Sequence, residues 1–244
     1  MNTRRKFLLQ GSLATTAFLA AKPISTFSNT VSVVTGQPVY NNKIVFIHTG
    51  NNGSAKQQQV LHNVTSIAKA AGSVVLLHAG NSKRTMAPQL NYDATMEPGN
   101  DLSFLKNNYK TFYKGDIKVA VITANEGEAD VINKISNLSA YLKNEKQCNM
   151  VVCLSQLGYK NKNKIDDITL AEKSTGLDII ISGHAVNHFA HTAVVLNSKR
   201  HEVIIQPASA NAVAFGNIEM VFDKDRNKYS VAINNLVAGN TSIS

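Results

Sequence analysis

The chain contains no tryptophan, two cysteines and five prolines among its 244 residues. With so few thiols a disulfide framework is excluded, so a folded domain must be held by an apolar core. Hydrophobic residues make up 43% of the chain, enough for such a core in one domain. Cys148 and Cys153 bracket one apolar run. Five residues apart on a strand they point to opposite faces, which predicts two buried, unpaired thiols. Acidic residues are scarce, and none occurs in the first thirty positions. The formal charge is +9, and four of the cations (Arg4, Arg5, Lys6, Lys22) fall in that acid-free stretch. The rest is mildly basic and scattered, apart from Lys160, Lys162 and Lys164, with no cationic stripe interleaved with aromatics. A nucleic-acid partner is therefore not expected.

What the N-terminus does have is a charged start, Arg4-Arg5-Lys6-Phe7-Leu8-Leu9, followed by a weakly apolar stretch from Gly11 to Ala21. That stretch is about eleven residues, and crossing a bilayer takes ~20, so no stable membrane anchor is expected. Paired arginines followed by Phe-Leu resemble the twin-arginine export signal. The expected organisation is a signal peptide over 1–30, a linker over 31–42, one domain over 43–237 and a short tail over 238–244. The cleavage point is expected between Ala21 and Asn29. The compartment this implies is the periplasm or the exterior, with the twin-arginine export machinery as a partner during secretion.

Beyond the linker, short β-branched runs alternate with helical periodicity. Lys43–His48, Ser73–Leu77, Ile117–Thr123, Met150–Leu154 and Asp178–Ser182 read as strands. Apolar residues three and four apart predict helices over 54–71, 126–143 and 168–174, the first stopped by Gly72. Residues 82–113 read as irregular. Val194–Leu196 with Val203–Gln206 reads as a hairpin, and Phe215–Phe222 with Lys228–Leu236 as a final strand pair joined by the turn 223–227. Continuous apolar strands between helices predict buried, largely parallel pairing, with a mixed arrangement at the C-terminal end. The expected class is α/β, with mixed sheets packed face to face as a β-sandwich and flanked by helices.

In such sheets, ligands bind at the loops beyond the carboxyl ends of the strands. Five such loops are rich in Gly, Asn and His: His48-Thr49-Gly50-Asn51-Asn52-Gly53, His78-Ala79-Gly80-Asn81, Gly99-Asn100-Asp101, Ser155-Gln156-Leu157-Gly158 and Ser182-Gly183-His184. Taken in order, with Tyr92-Asp93-Ala94 before the third, they resemble the calcineurin-like metallophosphatases, closest to the 5′-nucleotidase and periplasmic sugar-nucleotide hydrolase branch. The resemblance covers roughly residues 43 to 236 and implies the family's four-layer α/β/β/α fold. It also implies phosphoester hydrolysis at a dimetal site.

The departures fall on the metal ligands. At the family's first-loop Asp and His stand Asn51 and Gly53. At its bridging Asp stands Asn81. Its Asn ligand is kept as Asn100, but the neighbouring catalytic His is Asp101. Gln156 and Val186 replace two further imidazoles, whereas His184 is kept. Two cations a few ångströms apart repel unless carboxylates lie between them, and Asn81 has the shape without the charge. The expectation is a catalytically impaired member with no bound cofactor. Its vestigial pocket would be formed by Asn51, Asn81, Asn100, Asp101, Gln156 and His184. It would bind a small phosphorylated or nucleotide-like ligand, or pair with an intact homologue. The alternative is an active hydrolase with one divalent ion in a rearranged site, the candidate ligands being His48, His78, Asp101, His184 and His188 and the candidate general acid Asp101.

Overall fold

A computed structural model describes residues 42–50, 73–80, 92–96, 108–160, 164–183, 192–208 and 214–237. The leader, the linker, the tail and the helix expected over 54–71 lie outside the described residues. Among the described residues eleven strands form two mixed sheets. The first holds β1 (Asn42–Thr49), β2 (Val74–His78), β3 (Ala94–Thr95), β10 (Ala214–Phe222) and β11 (Lys228–Val237), in the order β11-β10-β1-β2-β3. The second holds β4 (Tyr109–Lys114), β5 (Ile117–Ala124), β6 (Met150–Ser155), β7 (Ile179–Ser182), β8 (Ala193–Leu196) and β9 (Glu202–Pro207), in the order β4-β5-β6-β7-β9-β8. In the second sheet β5, β6, β7 and β9 run parallel and antiparallel β4 and β8 flank them; in the first, β1, β2 and β3 run parallel and the antiparallel pair β10 and β11 lies on one side, in line with the apolar runs and the C-terminal strand pair.

The side-chain alternation of each strand assigns its residues to one of two cores. Ile44, Phe46, Val75, Leu77, Val119, Val121, Val152, Leu154, Ile179, Ile181, Ile218 and Met220 meet between the sheets. The alternate residues Ala120, Ile122, Val151, Cys153 and Ile180 pack on the other side of the second sheet. There they meet α1 (Val131–Asn144) and α2 (Asp167–Lys173) through Val131, Ile135, Leu142, Leu170 and Ala171. Asp166 caps α2 by accepting from the Thr169 amide at 2.7 Å. No helix among the described residues is long and apolar enough to cross a membrane.

Three sequence expectations need correction. The stretch 82–113 is not irregular throughout, since it holds β3 and β4. Helix α1 starts at Val131 rather than near 126, because Gly127 and Asp130 both take left-handed backbone and the chain turns before it can coil. Both cysteines are buried and free, but not on opposite faces. Cys148 lies ahead of β6, so strand alternation does not apply to it, and both thiols join the core beneath the helices.

Candidate functional site

The carboxyl ends of β1, β2, β6, β7 and β9 meet at one end of the sandwich. A ladder of single hydrogen bonds carries the strand pairing a step past each end. The Gln156 amide donates to Ala124 O (2.8 Å), Gly183 to Ser155 O (2.7 Å), Ala208 to Ser182 O (2.8 Å) and Ala79 to Thr49 O (3.0 Å). The sheets also touch directly here. The side-chain Nε2 of Gln156 reaches out from the second sheet and donates to Ala79 O of the first at 2.7 Å. Gly183 covers the same carbonyl so closely that a Cβ at 183 would stand 1.8 Å from Ala79 O.

Parity separates the two histidines of the first sheet, His48 and His78. His48 lies on the face of β1 that carries Ile44 and Phe46, and pairs with Leu77, so its ring enters the space between the sheets. It is wholly buried, and it fits only because its cross-strand partner is Gly216, where a Cβ would come within 1.9 Å of Nε2. Gln206 of β9 lies beside the ring, although neither ring nitrogen has a hydrogen bond of full geometry. Burial lowers the His48 pKa to about 4, an effect that Gln206 partly offsets, so the ring is neutral near pH 7.

His78 pairs with Thr49, one step out of phase, and occupies the opposite face of the first sheet. Thr49 Oγ1 lies 3.0 Å from His78 Nδ1 and 3.0 Å from the Tyr92 hydroxyl. The His78 and Tyr92 rings stand 5.3 Å apart at 42°. Burial lowers the His78 pKa to about 4 and raises that of Tyr92. The Nε2 of His78 is buried with no partner among the described residues.

Of the residues singled out from sequence, His48, His78 and Gln156 are described. Asn51, Gly53, Asn81, Asn100, Asp101, His184, Val186 and His188 lie outside the described residues. His48 and His78 do not converge: the pleat sends them to opposite faces of one sheet, so they do not form a common cation site. Gln156 turns its donor nitrogen onto a carbonyl. No three His, Cys, Asp or Glu side chains among the described residues stand together as a metal-binding group. Sequence reasoning missed the Thr49–His78–Tyr92 chain, Gln206 and the buried Asp167. Strand parity would have put Thr49 beside His78, but nothing local in sequence pairs Gln206 with His48 across the sandwich.

No family model matches the chain, and no curated protein matches it. Solved structures do. The 5′-nucleotidase precursor of Thermus thermophilus superposes with a TM-score of 0.59 at 17% identity, over 81% of this chain and 55% of that one. The NAD nucleotidase of Haemophilus influenzae gives 0.60 at 14% identity, over 81% and 50%. The sulfate thiohydrolase of Thermus thermophilus gives 0.54 at 17% identity, over 75% and 42%. The chain spans about half the length of these proteins. The fold is that of the calcineurin-like metallophosphatases.

Proposed function

We propose that this chain is an exported protein of metallophosphatase fold whose dimetal chemistry has been lost, and whose strand-end crevice binds a small phosphorylated or nucleotide-like ligand. The observation that carries this reading is the Gln156–Ala79 contact beneath Gly183. In the resembling family an imidazole at the Gln156 position holds a metal ion. Here an uncharged amide spans the same gap between the sheets and is committed to a backbone carbonyl. The neutral rings of His48 and His78, on opposite faces, agree with it. So does the sequence, which places Asn51 and Asn81 where the family has carboxylates.

Amides and backbone N–H groups at strand ends suit phosphate oxygens without any need for a cation. The nucleotide-like class rests on analogy with the 5′-nucleotidase and NAD nucleotidase neighbours. Export rests on Arg4-Arg5 and the apolar stretch behind them, and it accords with one neighbour being described as a precursor.

The test is to purify the chain without chelators, measure bound metal, and assay a general phosphoester with manganese, with zinc and with neither. Thermal melts with nucleoside monophosphates complete it. The expected outcome is no stoichiometric metal, no turnover, and a melting temperature that rises with the phosphorylated ligand. Stoichiometric metal with turnover that vanishes in Asp101→Ala and His184→Ala would replace this reading with a hydrolase of rearranged site. No metal, no turnover and no ligand effect would leave pairing with an intact homologue.

A further inference from the structure

The helix side of edge strand β4 is only partly covered. Tyr109 and Tyr113 point to that side, while the alternate residue Phe112 packs between the sheets. Tyr113 is 63% exposed, and Tyr141 of α1, whose ring centre lies 6.3 Å from that of Tyr109, is 40% exposed. A single exposed aromatic is ordinary, but each of these exposed rings carries a cation. Lys118, the cross-strand partner of Tyr113, places Nζ 5.7 Å from that ring, and Lys146 places Nζ 5.6 Å from the ring of Tyr141. Lys118 Nζ also donates to Lys146 O at 2.7 Å, which ties the two places together. At the end of the sandwich opposite the crevice, the turn between β4 and β5 meets the turn between β10 and β11. An open hollow of about 270 Å³ lies there, lined by Tyr113, Gly115, Asp116, Lys224 and Arg226. Lys118, Lys146, Lys224 and Arg226 have no carboxylate partner among the described residues. These cations come from three separate parts of the chain, so the fold gathers on one surface what the sequence scatters.

We propose that this surface binds an acidic polysaccharide, a sugar chain bearing carboxylate groups, with the hollow seating one unit and the tyrosines carrying the next. The hollow is smaller than the about 300–1,000 Å³ of pockets that enclose a whole small molecule, which suits one unit of a longer chain. Tyr109 and Tyr113 stand four residues apart on β4, roughly 13 Å at the ordinary strand rise, so the surface is long enough for several units. Carboxylates on the ligand answer the four cations. The apolar faces of sugar rings suit exposed phenol rings, which offer wide contact at little cost in side-chain freedom. Asp116 repels an anion but accepts hydrogen bonds from sugar hydroxyls. That pairing favours a sugar chain over single-stranded DNA, whose linkages bring phosphates and no hydroxyl. The surface lies away from the crevice and owes nothing to the proposed function, so either idea can fail alone.

Calorimetric titration of the full chain with polygalacturonate tests this, with dextran as a neutral sugar polymer and a thymidine oligonucleotide as a second polyanion. Polygalacturonate should bind and weaken with added salt, dextran should not bind, and the oligonucleotide should bind about tenfold more weakly or less well still. Lys224→Gln combined with Arg226→Gln should weaken polygalacturonate about tenfold, and Tyr113→Ala about fivefold. Lys199→Gln, in the turn between β8 and β9, should leave the affinity unchanged. All four positions are exposed, so each variant should keep the wild-type melting temperature. No binding of polygalacturonate overturns the proposal, as does equal binding of the oligonucleotide. An affinity unmoved by Tyr113→Ala, or lowered as much by Lys199→Gln as by the double variant, reduces the surface to unspecific charge attraction and overturns it too.

Discussion

A glycine at position 216 is what allows a histidine to be buried at position 48. With the ring nitrogen 1.9 Å from where a Cβ would stand, the two residues form a single packing unit across β1 and β10. Gly216→Ala should therefore destabilise the fold by about 1–3 kcal/mol, the usual range for overpacking. His48→Ala opens the space the methyl needs. In that background the added cost of Gly216→Ala should largely disappear, and urea denaturation of the two single variants and the double variant gives the coupling. Additive costs would show that the ring and the glycine are independent. Gln156→Ala leaves Ala79 O without its donor in a partly buried place, and should cost about 1–3 kcal/mol by the same measurement. Part of this site was legible in the sequence: the strand-end loops set in order single out Gln156, which lies at a point of contact between the sheets. What was not legible depends on distance through space. The Gln206–His48 and Asp167–Ser155–Ser182 groupings join residues far apart in the chain, and no local pattern encodes them.

The same division holds for whole elements. Strands β1, β2, β5, β6, β7, β9, β10 and β11 follow runs of apolar residues, and their ends fall within two residues of the expected ones. Strand β4 was missed because it lies at an edge, where Tyr109-Lys110-Thr111-Phe112-Tyr113-Lys114 is at most half-buried and carries the lysines that guard edge strands. Strand β3 has two residues, too few for any period to register. These two unread strands are tied together across the sandwich. Lys114 Nζ of β4 lies 2.9 Å from Asp93 Oδ1, just before β3, while Asp93 Oδ2 accepts from the Leu76 amide at 2.8 Å. Asp93→Ala should cost about 1–3 kcal/mol, because it strands that amide as well as the lysine. Lys114→Met should cost less than about 1 kcal/mol, since the ion pair is about a quarter exposed on both sides. Thermal melts of the two variants decide this. Equal losses would mean that the ion pair, and not the amide bond, holds the edge.

Across the whole molecule, three buried titratable groups near the strand ends set opposing pH dependences. His48 and His78 have folded pKa values of about 4 against an ordinary 6.5. Each contributes stability that is complete above 6.5 and is lost as pH falls towards 4. Asp167, raised from 3.8 to about 6, does the reverse: its contribution is complete below 3.8 and is lost as pH rises through 6. Between roughly pH 4 and 6 the unfolded chain therefore carries two extra protons on the histidines, and the folded chain one extra on the aspartate. The balance is one proton, and stability should rise with pH by about 1.4 kcal/mol per unit from these groups. Asp167→Asn removes the opposing proton, so the slope should steepen by a further 1.4 kcal/mol per unit or so. His78→Gln, which can still hydrogen-bond with Thr49, should flatten the slope by a similar amount. Urea denaturation at half-unit steps from pH 4.5 to 6 gives each slope, and comparison with wild type cancels the surface carboxylates common to all three proteins. If the Asp167→Asn line runs parallel to wild type, the carboxyl titrates as freely as in the unfolded chain and the strand ends are open to water. If it steepens while His78→Gln flattens, Asp167 and His78 are both dry in the folded state. The end of the sandwich would then be closed by the polar contacts between its sheets.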